Sequence, residues 1–199
     1  RQPYSYYWNN IVSSICKLEC RLTLTTITSK NRNSFFLNIS SYLKSLLILM
    51  KPRVMSLVIF TCAVGLLTSQ ATIGLFNSLT SIFFVTMGAG AAGALNMWYE
   101  ADLDKLMTRT CLRPIPTGKI NKQHALIFGI VLSIISICGL YYFSNLLSAF
   151  LLFVTIAFYL FVYTIWLKRK TPQNIVIGGA SGALPPVIGW TIATNSLTI

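Results

Sequence analysis

The sequence predicts an all-α protein built as a polytopic bundle of transmembrane helices. Of its 199 residues, 54% are hydrophobic and only 10% are charged, and the mean hydropathy is +0.66. A soluble domain carries roughly 25% charged residues, so this chain has too few to cover a water-facing surface. Five apolar runs follow one another, each near the roughly 20 residues that a helix needs to cross a bilayer. Helices are the expected spanning element because lipid offers backbone groups no hydrogen-bonding partner.

The first 44 residues differ in composition from the rest. They are rich in Ser and Thr, carry several basic residues and have Glu19 as their only acid, which is typical of a transit-like or disordered leader. We expect residues 45–199 to form the membrane domain, and we expect Pro185 and Pro186 to kink or break its last helix. The predicted spans are about 54–70, 76–99, 124–143, 147–167 and 174–194.

Basic residues gather in alternate connections between the runs. The connections near 71–75 and 144–146 carry no charge. If each run crosses once, every basic connection lies on one side, which the positive-inside rule assigns to the cytoplasm of a bacterium or the matrix of a mitochondrion. The basic residues of these connections are Lys44, Lys51, Arg53, Lys105, Arg109, Arg113, Lys119, Lys122, Lys168, Arg169 and Lys170.

The net charge of +12 does not indicate a nucleic-acid-binding protein. Nucleic-acid binding requires a solvated basic face, whereas here the basic residues stand in short clusters between apolar runs. The five cysteines are odd in number and contain no C-x-x-C pair, so neither a disulfide framework nor a zinc site is expected.

The four acidic side chains are distributed very unevenly. Three of them, Glu100, Asp102 and Asp104, stand within five residues directly after the second run. If the helix continues through this segment, Asn96, Glu100 and Asp104 have i, i+4, i+8 spacing and share one stripe, whereas Asp102 points to nearly the opposite side. Like charges on one stripe repel unless a cation sits between them. Mg²⁺ binds one or two carboxylates and completes its shell with phosphate and water, so the stripe predicts half of a site for Mg²⁺ and a phosphorylated ligand.

Basic residues that suit such a ligand follow in the same connection. Arg109 and Arg113 can bind phosphate oxygens with paired hydrogen bonds, and Lys105 and Lys119 are close in sequence. The alternative is a solvated connection in which acids and bases simply pair with one another. The residues alone leave both interpretations open.

The segment NMWYEADLDKLMTRTCLRPIPTGKI, residues 96–120, resembles the signature of the UbiA superfamily of intramembrane prenyltransferases. The superfamily pattern is N-x-x-x-D-x-x-x-D, and Asn96, Glu100 and Asp104 stand at its three positions. The haem-modifying branch of the superfamily continues with M-x-R-T-x-x-R-P, which residues 107–114 match.

Two further segments, residues 49–58 and 163–190, resemble the same branch, so the likeness covers about residues 43–199. There are two departures. Glu100 replaces the usual Asp, which keeps the charge but reaches one methylene farther. Family members also carry a second acidic motif in a later loop, and this chain has no acid after Asp104.

The resemblance implies a bundle of about nine helices, of which about five lie in this chain as its N-terminal part. It implies transfer of a farnesyl group from farnesyl diphosphate to the vinyl group of protohaem IX, which gives haem O. Mg²⁺ would bind through the diphosphate, the lipid bilayer would surround the protein, and haem A synthase is an implied partner.

The resemblance also implies roles for individual residues. Carried over position by position, the metal–diphosphate ligands are Asn96, Glu100 and Asp104, the main diphosphate-binding residues are Arg109, Arg113 and Lys168, and the additional ones are Lys51 and Arg53. Asp102 would either join the metal ligands or orient Arg109.

Several alternatives remain beside this expectation. Another UbiA-type enzyme could use an aromatic acceptor, and a transporter could also carry charged residues in membrane helices, although here they stand at one edge. Aromatic residues of the fourth run, such as Tyr159 and Tyr163, would shield a carbocation or face lipid. His124, the single histidine, is expected to be an interfacial residue rather than a haem ligand.

Overall fold

Helices make up most of the described part of the chain. The computed structural model describes residues 35–69, 71, 73–108, 110–167 and 174–197. The segments are α1 (Phe35–Leu49), α2 (Pro52–Thr68), α3 (Leu75–Asp104), α4 (Lys122–Phe143), α5 (Leu146–Ala157), a π-helix (Phe158–Leu167) and α6 (Asn174–Thr194). These described residues contain no strand, and the predicted all-α class is confirmed.

Three helical segments of the described residues are long and apolar enough to cross a membrane. They are α3, α4, and α5 together with its π-helical continuation as far as Trp166. A fourth candidate is the pair of α1 and α2, which are bent by 56° at the break between Leu49 and Pro52. The fifth predicted run coincides with α6, and its crossing stays a prediction.

The helices depart from the sequence prediction most clearly at α1, α3 and α6. Helix α1 begins at Phe35 and passes the expected leader boundary at residue 44, while residues 1–34 lie outside the described part. Helix α3 continues five residues past the predicted end at Tyr99 and includes the acidic segment. Helix α6 runs through Pro185 and Pro186 as one helix, so the break allowed for there is wrong, while a kink at the prolines stays a prediction. A helix tolerates prolines where packed neighbours support its backbone, and α6 packs extensively against α2.

The contact between α2 and α6 depends on two glycines. A Cβ atom at Gly65 would overlap the carbonyl of Pro186, and one at Gly189 would overlap the carbonyl of Cys62 and lie 2.9 Å from the nitrogen of Leu66. The two backbones therefore touch directly, as they do at small-residue interfaces in membrane bundles.

Helix α3 is the central element, and it packs most extensively against α4. One apolar cluster, centred on Val85, Leu140 and Ile188, joins α3 to α2, α4, α5 and α6. A second cluster joins the C-terminal half of α3 to the end of α1, the connection after α3 and the start of α4. Its buried members are Leu49, Ala94, Met97, Ala101, Ile115, Ile120 and Ala125.

The elbow between α1 and α2 crosses α3 at Gly93. A Cβ atom there would stand 3.3 Å from the carbonyl oxygen of Met50 and 3.4 Å from that of Leu49, so a larger residue would push the elbow away. Lys51 turns the chain at the elbow in the left-handed region, with φ 54° and ψ 67°, and Pro52 starts α2 at a position that suits proline. This geometry brings the Lys51 side chain to the face of α3.

Candidate active site

The predicted stripe lies on the buried face of α3, near its C-terminal end. Asn96, Glu100 and Asp104 have exposed fractions of 0%, 6% and 3%. Asp102 lies on the exposed side of the same helix, and its Oδ2 pairs with Nζ of Lys122 at 3.0 Å. Because the helix is unbroken as far as Asp104, Asp102 is not brought to the other two carboxylates.

The end of α3 is an unfavourable place for carboxylates by themselves. The last carbonyls of a helix carry negative partial charge, which favours cations there and disfavours anions. Burial adds a further cost unless each carboxylate is hydrogen-bonded or paired. Asp104 obtains such a partner from the connection after α3, whereas Glu100 accepts from Asn96 of its own helix.

The first partner is Arg113, in the connection after α3. Its Nη1 atom lies 3.0 Å from Oδ1 and 2.8 Å from Oδ2 of Asp104. The connection is a series of turns anchored by buried Ile115 and Ile120, and the hydroxyl of Thr110 donates to the backbone carbonyl of Asp104 at 3.2 Å. The Arg113 side chain keeps 26% of its surface exposed, so it is fixed in place and still accessible to a ligand.

A second basic residue, Lys51, reaches the uncharged member of the stripe from the elbow between α1 and α2. Its Nζ atom donates to Oδ1 of Asn96 at 2.6 Å. The Nδ2 atom of Asn96 donates in turn to Oε1 of Glu100 and to Oγ1 of Thr164, both at 3.1 Å. A single buried amide therefore links the elbow, α3 and the π-helix.

An apolar cleft begins beside this network. Its volume is about 120 Å³, and its walls come from the elbow, α2, α3, α5, the π-helix and α6. Lys51 and Tyr159 border it, together with small residues of α3 such as Ala92 and aliphatic residues such as Val58 and Ile156. The site therefore combines a charged rim with an apolar interior, which suits an amphipathic ligand.

The structure brings only some of the predicted residues together. Lys51 and Arg113 contact the stripe, whereas Arg53 is exposed at the start of α2. Arg109 and Lys168 lie outside the described residues. The exposed pair of Asp102 and Lys122 corresponds to the alternative in which acids and bases simply pair. Asp104 also pairs with Arg113, but its carboxylate is buried rather than solvated.

The donor set of the stripe fits a hard cation in its chemistry. Glu100 and Asp104 supply carboxylate oxygens on one helix face, and Mg²⁺ needs only one or two protein carboxylates when phosphate and water complete its shell. Within the described residues, no three side chains of His, Cys, Asp or Glu come together as a complete protein cage. The predicted metal role of Asn96, Glu100 and Asp104 stays a prediction.

Sequence reasoning missed Thr164 and Thr110. Thr164 lies 68 positions from its partner Asn96, and no spacing rule connects them. Thr110 could have been noticed, because it belongs to the R-T-x-x-R-P run. Tyr159 borders the cleft and stacks on Tyr163 with ring centroids 5.1 Å apart. The sequence indicated an aromatic-rich run but did not decide whether these rings face lipid or a site.

Comparison with known proteins decides the family. Residues 57–199 match the sequence profile of the UbiA prenyltransferase family. The chain belongs to the UbiA prenyltransferase family. Members of this family generally use diphosphate substrates with a divalent metal ion. The family match confirms the resemblance carried by residues 96–120. The family and the apolar helices together identify the chain as part of an integral membrane protein.

Several curated UbiA relatives are similar to this chain. Protoheme IX farnesyltransferase of Pelagibacter ubique (strain HTCC1062) is 68% identical over 170 residues, which are 85% of this chain and 56% of that protein. Protoheme IX farnesyltransferase 2 of Mesorhizobium japonicum is 57% identical over 151 residues, 76% of this chain and 48% of that protein. Protoheme IX farnesyltransferase of Bartonella tribocorum is 55% identical over 151 residues, 76% of this chain and 49% of that protein.

The chain thus spans about half the length of the curated UbiA relatives that it matches. No solved structure matches it significantly.

Proposed function

We propose that the protein containing this chain transfers a farnesyl group from farnesyl diphosphate to a vinyl group of protohaem IX, giving haem O. The observation that carries the proposal is the buried polar stripe of α3, flanked by Lys51 and Arg113 and opening onto an apolar cleft. A ligand with a multiply charged head and a long apolar tail fits this combination. The names of the similar curated proteins supply the farnesyl donor and the haem acceptor.

The stripe would bind the charged head of the donor. Glu100 and Asp104 would hold Mg²⁺ together with the diphosphate, and Asn96 would complete the set. When bound, Mg²⁺ neutralises charge on the diphosphate and makes it a better leaving group. Arg113 and Lys51 already lie beside the stripe, so each can exchange a contact with Asp104 or Asn96 for one with a diphosphate oxygen. Arg109 and Lys168 are proposed as further diphosphate-binding residues.

The apolar cleft would bind the isoprenoid tail next to the reacting carbon. Breaking the carbon–oxygen bond of the donor leaves an allylic carbocation, which must be kept from water until it meets the acceptor. Tyr159 borders the cleft and can stabilise positive charge through its ring face. The vinyl group of protohaem then forms the new carbon–carbon bond, and water adds to give the hydroxyethylfarnesyl side chain with release of a proton.

The location follows from the charge pattern of the connections. The stripe would face the cytoplasm of a bacterium or the matrix of a mitochondrion, because the basic connections stand on its side of the bundle. Haem A synthase is proposed as the partner that receives haem O.

The test is an acceptor comparison with purified full-length protein in lipid nanodiscs. Farnesyl diphosphate is supplied with Mg²⁺ and either protohaem or 4-hydroxybenzoate, and products are identified by mass spectrometry. We expect haem O from protohaem, no product from the benzoate, and loss of activity when a chelator removes the metal. Prenylation of the benzoate alone would reject the haem acceptor, and full activity in chelator would reject the metal role.

A further inference from the structure

We infer that Thr164 is a positioning residue, whose hydroxyl fixes the side-chain amide of Asn96 so that its oxygen faces Lys51 and its nitrogen faces Glu100. This inference rests on the proposed function, because the stripe is taken to be the diphosphate site. The roles carried over from the family resemblance involve α3, the connection after it and several basic residues, and they do not include Thr164.

The two ends of the Asn96 amide have different partners. A lysine ammonium group only donates hydrogen bonds, so the atom 2.6 Å from Nζ of Lys51 must be the amide oxygen. The amide nitrogen then points to the other side, where it lies 3.1 Å from both Oε1 of Glu100 and Oγ1 of Thr164. Both N–H groups of Asn96 therefore have an acceptor.

The proton of the Thr164 hydroxyl is used in a bond within its own helix. Its Oγ1 atom donates to the backbone carbonyl of Tyr159, five residues earlier, at 2.9 Å. With its one proton used there, the hydroxyl can only accept from Asn96. Thr164 is 1% exposed and Asn96 is 0% exposed, so water does not replace either group.

The π-helix that carries Thr164 determines which carbonyl its hydroxyl bonds. In an α-helix a threonine hydroxyl bonds the carbonyl three or four residues earlier, as Thr191 does with Ile188 and Thr86 does with Ile82. The wider turn between Phe158 and Leu167 moves that bond to the fifth residue. π-Helical segments are frequent at functional sites, and here the segment places a fixed acceptor opposite α3.

The consequence is a defined direction for the amide dipole before the ligand arrives. Without the Thr164 hydroxyl, one N–H group of Asn96 loses its acceptor, and the amide can rotate away from Lys51 and Glu100. The free energy needed to order these groups would then reduce the affinity for the diphosphate.

The structural consequence is tested by NMR on full-length protein in nanodiscs with selectively ¹⁵N-labelled asparagine. The Asn96 side-chain signals are those missing in Asn96→Asp. We expect Thr164→Val to shift these signals and speed their hydrogen exchange, while Thr164→Ser and the control Thr86→Val leave them unchanged. Valine has nearly the shape of threonine and is apolar, so insertion into the membrane is preserved. If Thr164→Val does not assemble, Thr164→Ala is measured instead. Unchanged Asn96 signals in the apolar variant would overturn the inference whether or not the protein transfers farnesyl groups.

The functional consequence is tested by steady-state kinetics with the same variants. A lost buried hydrogen bond of ordinary strength corresponds to about a three- to tenfold loss of kcat/KM for farnesyl diphosphate in Thr164→Val. We expect Thr164→Ser to restore the wild-type value. Equal loss in the valine and serine variants would show that side-chain volume, rather than the hydroxyl, matters, and would overturn the role. A wild-type protein that transfers no farnesyl group rejects the proposed function, and the NMR result then stands alone.

Discussion

The two ends of the bundle both contain buried polar groups, but they differ in charge. At the uncharged end, Nδ2 of Asn145 donates to the backbone carbonyl of Thr191 at 2.7 Å, and Oγ of Ser148 donates to Oγ1 of Thr191 at 3.1 Å. The Thr191 hydroxyl donates to the carbonyl of Ile188 at 3.0 Å. This chain of bonds ends on backbone carbonyls and joins α5 to α6.

The charged end, in contrast, contains buried carboxylates with basic side chains beside the stripe. Its buried carboxylates accept from Asn96 and Arg113, and the Arg113 side chain keeps 26% of its surface exposed, where a ligand can reach it. The buried charges also lie at the helix end where they are least favourable, near the C-terminus of α3. Buried neutral polar groups thus mark a packing contact, whereas buried carboxylates beside a partly exposed cation mark a candidate site.

The largest expected effect is at Asp104. Replacing Asp104 by Asn removes a proposed metal ligand and the charge that holds Arg113, while the side chain keeps its size. We expect farnesyl transfer to fall by about a hundredfold or more, as for loss of a central electrostatic group in other active sites. The matched control is Asp102→Asn, on the exposed side of the same helix, which should retain wild-type transfer. Equal losses in the two variants would contradict the assignment of the buried stripe as the site.

The next effect is at the uncharged half of the bundle and concerns stability. In Gly189→Ala, the new Cβ would overlap the carbonyl of Cys62, and neither backbone can move without separating α2 from α6. We expect a loss of about 2 kcal/mol in unfolding free energy, measured by denaturant titration in detergent micelles, with unchanged KM for the folded fraction. The control Gly179→Ala has open space around its Cβ and should behave as wild type. A changed KM with unchanged stability in Gly189→Ala would show that this uncharged contact affects substrate binding, and would contradict the contrast between the two ends.

A smaller effect is expected at Arg113. Replacing Arg113 by Gln removes the cation beside Asp104, so we expect KM for farnesyl diphosphate to rise by about tenfold, which corresponds to about 1.4 kcal/mol. Arg113→Lys keeps the charge but not the planar fork and should give an intermediate KM. The measurement is a substrate titration at fixed Mg²⁺. An unchanged KM in Arg113→Gln would mean that this cation only neutralises Asp104 and does not reach the substrate.

The sequence predicted the parts of this molecule that depend on local patterns. Apolar run length gave the helix positions, and i, i+4 spacing gave the shared face of Asn96, Glu100 and Asp104. It did not give the contact of Lys51 with Asn96, although Lys51 was a candidate, because that contact depends on the close crossing of the elbow over Gly93. The π-helix was also missed, since the segment FYLFVYTIWL is apolar almost throughout and shows no periodicity that would distinguish a π-turn from an α-turn.

The smallest effect is expected at Asn145, the polar residue that organises the uncharged end. Its Oδ1 caps α5 by accepting from the backbone nitrogen of Ser148 at 2.7 Å, and its Nδ2 binds α6. Asn145→Ala should lower the unfolding free energy by about 1 kcal/mol, the usual cost of a lost helix cap, and leave kcat and KM unchanged. The control Asn77→Ala changes an exposed asparagine of α3 and should alter neither quantity. If Asn145→Ala instead reduced turnover at unchanged stability, the hydrogen bonds of Asn145, Ser148 and Thr191 would take part in function. The absence of charge at that end would then no longer distinguish a packing contact from a functional site.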